Sequence, residues 1–125
     1  MPAATPAIAQ QKKLGPLDSR YVNVSELPWQ STRFPGVTEK VLLEDKETGL
    51  CTKLVTMEPG AELPDHEHQR IEQTFVLEGS LKDDQGEVTV GNYVWRPAGS
   101  RHRAWAPNGC LVIGVFLAPN RFYDR

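Results

Sequence analysis

Apolar residues along this chain recur at alternate positions in short runs, and no stretch of useful length carries the three-to-four spacing of an amphipathic helix. β-branched and aromatic residues fill these runs, while Gly, Pro, Asn and Asp divide them, which is the pattern of an all-β domain. The pattern predicts strands over residues 21–24, 37–44, 50–57, 72–77, 87–90, 93–96, 102–105 and 110–117. Turns are expected at Lys46-Glu47-Thr48-Gly49, Pro59-Gly60, Glu78-Gly79, Asp84-Gln85-Gly86, Gly91-Asn92 and Pro107-Asn108-Gly109. The last run, CLVIGVFL, is apolar on both faces, as expected of a strand covered on each side by a second sheet or another subunit. Roughly eight to ten strands in about 100 residues fit a double-sheet jelly roll, whose interior is large enough to hold a ligand.

A length of 125 residues allows one domain. Residues 1–18, rich in Ala, Pro and Gln, read as a flexible N-terminal arm, either disordered or laid along a partner subunit, and residues 19–125 as the barrel. Fourteen Lys and Arg against 16 Asp and Glu leave a formal charge of −2, which removes nucleic acid and anionic membrane as expected partners. A small-molecule ligand or a protein partner fits better. Cys51 and Cys110 each lie in an apolar segment and are expected as reduced thiols. The N-terminus lacks the pattern of a secretory signal, and no run approaches the roughly 18 apolar residues of a membrane span, so a cytoplasmic location is expected.

All three histidines fall in two short turn-and-strand regions. His66 and His68 are two apart and point to one side of an extended backbone; Glu72 keeps the same parity, with Thr74 and Val76 continuing that face inward. Imidazoles and a carboxylate converging at a barrel mouth make a site for a divalent first-row metal, and His102 can close it from a distant strand.

The residues around the histidines follow two spaced patterns. Gly60, His66, His68, Glu72 and Gly79 match G-x5-H-x-H-x3-E-x6-G in full. Gly91, Pro97, Gly99 and His102 match G-x5-P-x-G-x2-H-x3-N at all but the final position, which is Ala106, with Asn108 two residues on. At these residues the chain resembles the cupin superfamily over roughly residues 37–117. The resemblance implies a double-stranded β-helix with a metal held by His66, His68, Glu72 and His102; the missing asparagine touches turn packing and not the ligands. A closer likeness is to the small cupins similar to the C-terminal domain of zinc-binding anti-sigma factors and to acetylacetone-cleaving dioxygenases. The latter characteristically use three histidines without a carboxylate, a pattern from which Glu72 departs. Nothing before Tyr21 resembles the helical domain with which the anti-sigma proteins grip a sigma factor, so a direct anti-sigma role is not expected.

Such a donor set accepts Fe(II), Mn(II), Ni(II), Zn(II) or Cu(II). Six-coordinate Fe(II), the ion favoured by this reading, would leave two adjacent positions for a substrate with neighbouring oxygens. The expected function is therefore a mononuclear non-haem Fe(II) dioxygenase cleaving a small β-dicarbonyl-like compound. The alternatives are a non-catalytic metal- or ligand-binding cupin acting as sensor or regulator, and a metal-dependent isomerase. Pocket candidates are Arg70, which shares the parity of His68 and Glu72, with Tyr93, Trp95 and Arg96 near the second motif. A homodimer is expected, with the arm or the hairpin of residues 37–57 at its interface.

Overall fold

Strands form where the alternation is cleanest, and their lengths are set by the turns that interrupt it. The computed structural model describes residues 3–8 and 14–123. Its strands are β1 (Ala3–Ala4), β2 (Gln30–Ser31), β3 (Val37–Asp45), β4 (Leu50–Met57), β5 (Glu62–Glu67), β6 (Glu72–Lys82), β7 (Glu87–Thr89), β8 (Tyr93–Arg96), β9 (Arg101–Trp105), β10 (Cys110–Phe116) and β11 (Arg121–Phe122). They pair antiparallel in the order β1-β3-β4-β10-β6-β9-β5-β11, with β2 added to β3 and with β7 and β8 added to β6. The sheet curls on itself into an all-β jelly roll of one small domain, as the alternation predicts.

β6 joins the two halves of the roll. Its first residues pair with β8 and β10, whereas Ser80, Leu81 and Lys82 pair with β7, and Lys82 also faces Trp105 of β9. The strand was expected to stop at Gly79; it instead runs on through that glycine, which pairs with Cys110, after a bulge at Leu77, where Leu111 faces Glu78 and Val112 faces Val76. Gly79 has φ +71°, and a Cβ there would stand 2.1 Å from the carbonyl oxygen of Gly109. Only glycine fits.

Two further differences have local causes. Residues 21–24 form no strand: Tyr21 is exposed, and Val24–Glu26 makes a single 3-10 turn after Asn23, a residue that favours turns. β5 was not foreseen, because Pro64 and Asp65 interrupt the apolar alternation there; pairing with β9 and β11 holds it extended. At the N-terminus, Ala3 and Ala4 pair with Asp45 and Glu44, and the Thr5 hydroxyl donates to the Leu42 carbonyl. Residues 1–2 and 9–13 of the expected arm lie outside the described residues. Among the described residues no helix is long and apolar enough to cross a membrane.

The core is built mostly from small side chains, including Val37, Met57, Val76, Leu81, Ala104 and Val112. The largest fully buried side chains are His66, His68 and Val76. Beyond the apolar cluster, then, the interior is polar. Cys51 and Cys110 are free thiols, and burial pushes Cys110 up to about 11.

Gly79→Ala is expected to lower stability by at least about 3 kcal/mol, combining left-handed strain with a backbone clash. Gly91→Ala, with φ +79° but open space around it, should cost only about 1 kcal/mol. Urea midpoints of the two variants check the difference.

Candidate metal centre

The ladder between β5 and β9 places His66 directly opposite His102. His68 follows one residue beyond the end of β5, and its backbone is clamped to the turn before β9. Its N–H donates to the Ser100 carbonyl at 2.8 Å, and its carbonyl accepts from the Gly99 N–H at 2.6 Å. Gly99 has φ +90°, so the turn that carries His102 also fixes His68. The two sequence motifs are thus physically one clamp.

The three rings lie with centroids 4.7 to 5.0 Å apart, steeply inclined to one another. Their ligand atoms all fall within 4.8 Å, and the cluster can hold a metal ion. Nδ1 of His66 donates to the Pro64 carbonyl at 2.7 Å, and Nδ1 of His102 lies 3.2 Å from Asp83 Oδ2. In the neutral rings those bonds leave Nε2 as the free acceptor. Nε2 of His68 and Nε2 of His102 face each other at 2.9 Å. Two lone pairs at that distance repel unless a proton or a cation lies between them. Two ligands at right angles, each about 2.1 Å from one ion, would be about 3.0 Å apart, so the spacing suits adjacent positions on a metal. Nδ1 of His68 is the one buried side-chain nitrogen or oxygen without a hydrogen-bond partner among the described residues.

Glu72, expected among the ligands, is buried on the inner face of β6 beside the cluster. Its Oε1 stands 3.0 Å from Nδ1 of His68, out of line for a hydrogen bond, and accepts the Asn120 amide at 3.3 Å; its Oε2 accepts the Thr74 hydroxyl at 2.9 Å. Burial alone would raise this carboxyl, but His68, Thr74 and Asn120 together hold it below its ordinary value. Burial likewise lowers His66 and, helped by the charge of Arg96, takes His102 down to about 4.

Asp83 was not singled out from the sequence. It sits in the turn between β6 and β7, where Oδ1 accepts the N–H groups of Gln85 and Gly86 while Oδ2 faces both His102 and Arg96. A turn aspartate is the only signal the sequence carries; its meeting with His102 depends on long-range strand pairing. Phe122 of β11 was also missed, and its ring packs at 4.9 Å against both His66 and Phe34.

A cavity of about 650 Å³ opens onto His66, Glu72 and His102, walled by apolar side chains including Phe34, Val55, Leu63 and Phe116. Of the four pocket candidates, Arg96 lines it. Tyr93 and Trp95 do not, because alternation along β8 turns Val94 and Arg96 inward and leaves those two aromatics exposed on the outer face. Arg70 is exposed in the bend between β5 and β6.

Buried imidazoles from paired strands of a double-sheet barrel define a cupin with a three-histidine cluster able to hold a metal ion. Residues 18–119 match the family model of the ChrR cupin-like domain, and the chain belongs to that family. No curated protein matches it in sequence. Among solved structures it is similar to a candidate acetylacetone dioxygenase from Methylibium petroleiphilum PM1, with 21% identity, 92% of this chain and 85% of that one covered, and a TM-score of 0.79. It is similar also to an acetylacetone dioxygenase from Acinetobacter johnsonii, with 19% identity, 92% and 83% covered, and a TM-score of 0.74. The third is the Rhodobacter sphaeroides complex of SigE with the anti-sigma ChrR, at 22% identity, 74% of this chain and 50% of that one covered, and a TM-score of 0.63. At these identities the likeness is one of fold.

The lowered histidines set a pH dependence for the metal-free protein. The unfolded chain takes up protons near pH 6.5, whereas folded His102 resists them down to about 4, so protonation favours unfolding in that window. Stability should be full above pH 6.5 and fall as the pH drops towards 4, by about 3 kcal/mol from His102 alone. Urea unfolding of chelator-treated protein at pH 7.5 and 4.5 checks this, and His102→Asn should flatten the slope.

Proposed function

We propose that this protein is a mononuclear non-haem metal enzyme, a dioxygenase that cleaves a small oxygenated compound of β-dicarbonyl type, with Fe(II) as the working ion. The observation that carries the reading is a cluster of three imidazoles, two of which, His66 and His102, line a cavity of about 650 Å³. Structural sites close around their ion with protein ligands, whereas catalytic sites keep positions open towards a pocket. His66, His68 and His102 would hold the ion. When bound, it would supply Lewis acidity towards a chelating substrate and redox chemistry towards dioxygen.

The chain's own residues have the remaining tasks. Pro64 and Asp83 fix two of the rings through Nδ1, keeping Nε2 free to ligate. Glu72 faces the outer nitrogen of His68, and we read it as orienting that ring, since its oxygens are shared with Thr74 and Asn120. Apolar side chains line much of the cavity beside the cluster, and Arg96, ion-paired with Asp83, also reaches it, where its guanidinium would offer hydrogen-bond donors to a substrate oxygen. One fold neighbour that is an acetylacetone dioxygenase, and another that is a candidate one, support this choice of substrate class.

Protein loaded anaerobically with Fe(II) and then given acetylacetone or related diketones should consume oxygen. No uptake with any diketone, together with tightly retained zinc, would overturn the enzymatic reading and favour a regulator. Alanine at His66 or His102 should abolish stoichiometric metal by elemental analysis. Unchanged metal content would sink the site itself.

Asp83→Asn should weaken metal affinity by about 10- to 100-fold while leaving the ligands in place, as outer carboxylates of this kind do. Competition with a chromophoric chelator measures it.

A further inference from the structure

The histidines occupy one end of the cavity, and the inner face of the sheet carries it well past them. Arg96, Glu72, Phe116, Cys51 and Glu44 stand in register on successive strands, β8, β6, β10, β4 and β3, and all of them line it. Four strand spacings amount to about 19 Å along the curved sheet. A volume of about 650 Å³ is in the range that encloses drug-sized ligands, and acetylacetone at the histidines fills only a small part of it.

The far end, on β3 and β4, holds a charged pair. Nζ of Lys53 donates to Glu39 Oε1 at 2.9 Å and lies 5.1 Å from the centre of the Phe116 ring. Both residues line the cavity, and their side chains are only 26% and 23% exposed. Alternation turns the next residue, Lys40, to the opposite face, where it donates to the Val24 carbonyl at 3.0 Å beside the Trp29 ring. On the inner face, Gly114 of β10 stands in register between Thr74 and Lys53. A Cβ there would be 2.8 Å from the Phe116 ring, which occupies the space the glycine leaves. Phe34 and Val55 add apolar wall.

Packing does not call for such a pair. Two charges drawn partly out of water gain little net stability, and apolar residues of similar volume would serve the sheet at least as well. What the pair offers is hydrogen bonding. Among the described residues Lys53 makes one of its three possible donor bonds, and Glu39 Oε2 accepts none. A charged group is poorly served there: a carboxylate would meet Glu39, Glu44 and Asp45, and an ammonium would meet Lys46 and Lys53. A neutral hydroxyl suits both partners, accepting from Lys53 while donating to Glu39. We propose, on the basis of the substrate cavity assigned above, that Lys53 and Glu39 form its second binding point, for a hydroxyl at the far end of an elongated substrate whose dicarbonyl head lies at the histidines. The substrate class is then a hydroxylated dicarbonyl compound with an apolar body, which rests against Phe34, Val55 and Phe116.

Titration calorimetry on zinc-loaded protein, where no redox step follows binding, reads the far end directly with benzoylacetone and para-hydroxybenzoylacetone. The hydroxyl compound should bind at least about 10-fold more tightly, as hydrogen bonds to charged partners provide. The para-carboxy analogue should bind more weakly than either. Lys53→Met combined with Glu39→Leu should bring the first two compounds to within about twofold of each other, with a urea midpoint at or above that of the wild type. Equal affinity of those two compounds for wild-type protein, or no binding of either, overturns the proposal. So does tightest binding of the carboxylate, a preference that outlives the double substitution, or a midpoint that falls with it, the mark of a purely structural pair. Oxygen uptake with acetylacetone is scored separately: uptake without the hydroxyl preference leaves the dioxygenase and removes the second binding point, and the preference without uptake does the reverse.

Discussion

Three imidazole rings buried within contact of one another are a demanding thing to place in a small domain. Each ring brings two nitrogens that must be satisfied away from water, and a buried polar group left unpaired costs on the order of 1–3 kcal/mol. The apolar cluster that must support them is modest, with valine and alanine prominent in it. Much of the architecture answers that demand. The Pro64 carbonyl takes one outer nitrogen and Asp83 another, and Glu72 stands against the third. The inner nitrogens are left crowded together, and a shared cation is the one occupant that satisfies them all at once. Stability and metal binding are in this sense the same problem.

The supporting shell is tied to the fold as closely as the ligands are. Asp83 uses one oxygen to close the β6–β7 turn and the other to face His102, so the turn cannot loosen without releasing the ring. The Gly99–Ser100 turn holds the backbone of His68 and introduces the strand of His102. Neither device lies in a flexible loop. Rings positioned by strand register and tight turns are held before any ligand arrives, and a preorganised site loses little entropy on binding.

Much of this was legible in the sequence, and the rest was hidden for identifiable reasons. Parity put His66 and His68 on one side and Glu72, Thr74 and Val76 on another, because extended backbone has a fixed period of two; a bend at residues 69–70 separates the two runs, and folding brings them together. The spacing of glycines and Pro97 identified the family, since each left-handed turn leaves a mark in the chain. Asp83 left only the mark of a turn aspartate, as its partner is 19 residues away and meets it only through pairing of β6 with β7 and β9. Gly79 misled because a left-handed glycine inside a paired strand looks, in sequence, the same as one that ends it. β5 was obscured by Pro64 and Asp65, yet these same residues serve the site: the Pro64 carbonyl holds His66, and Asp65 binds Arg101 beside His102. Tyr93 and Trp95 sit close to the motif in sequence, and the pleat turns them to the opposite side.

The alternation of β6 has one more consequence. Within the six residues from Glu72 to Leu77, even positions answer to the chemistry of the interior and odd positions to whatever lies against the outer sheet. The strand therefore carries two interleaved messages with no shared letters. In related chains the even positions are free to stay constant while the odd ones drift with changing surroundings, and the two sets can be altered separately. A scaffold of this kind can acquire new assemblies without disturbing its reactive centre, because the two faces are separated by the thickness of a single peptide plane and by nothing else.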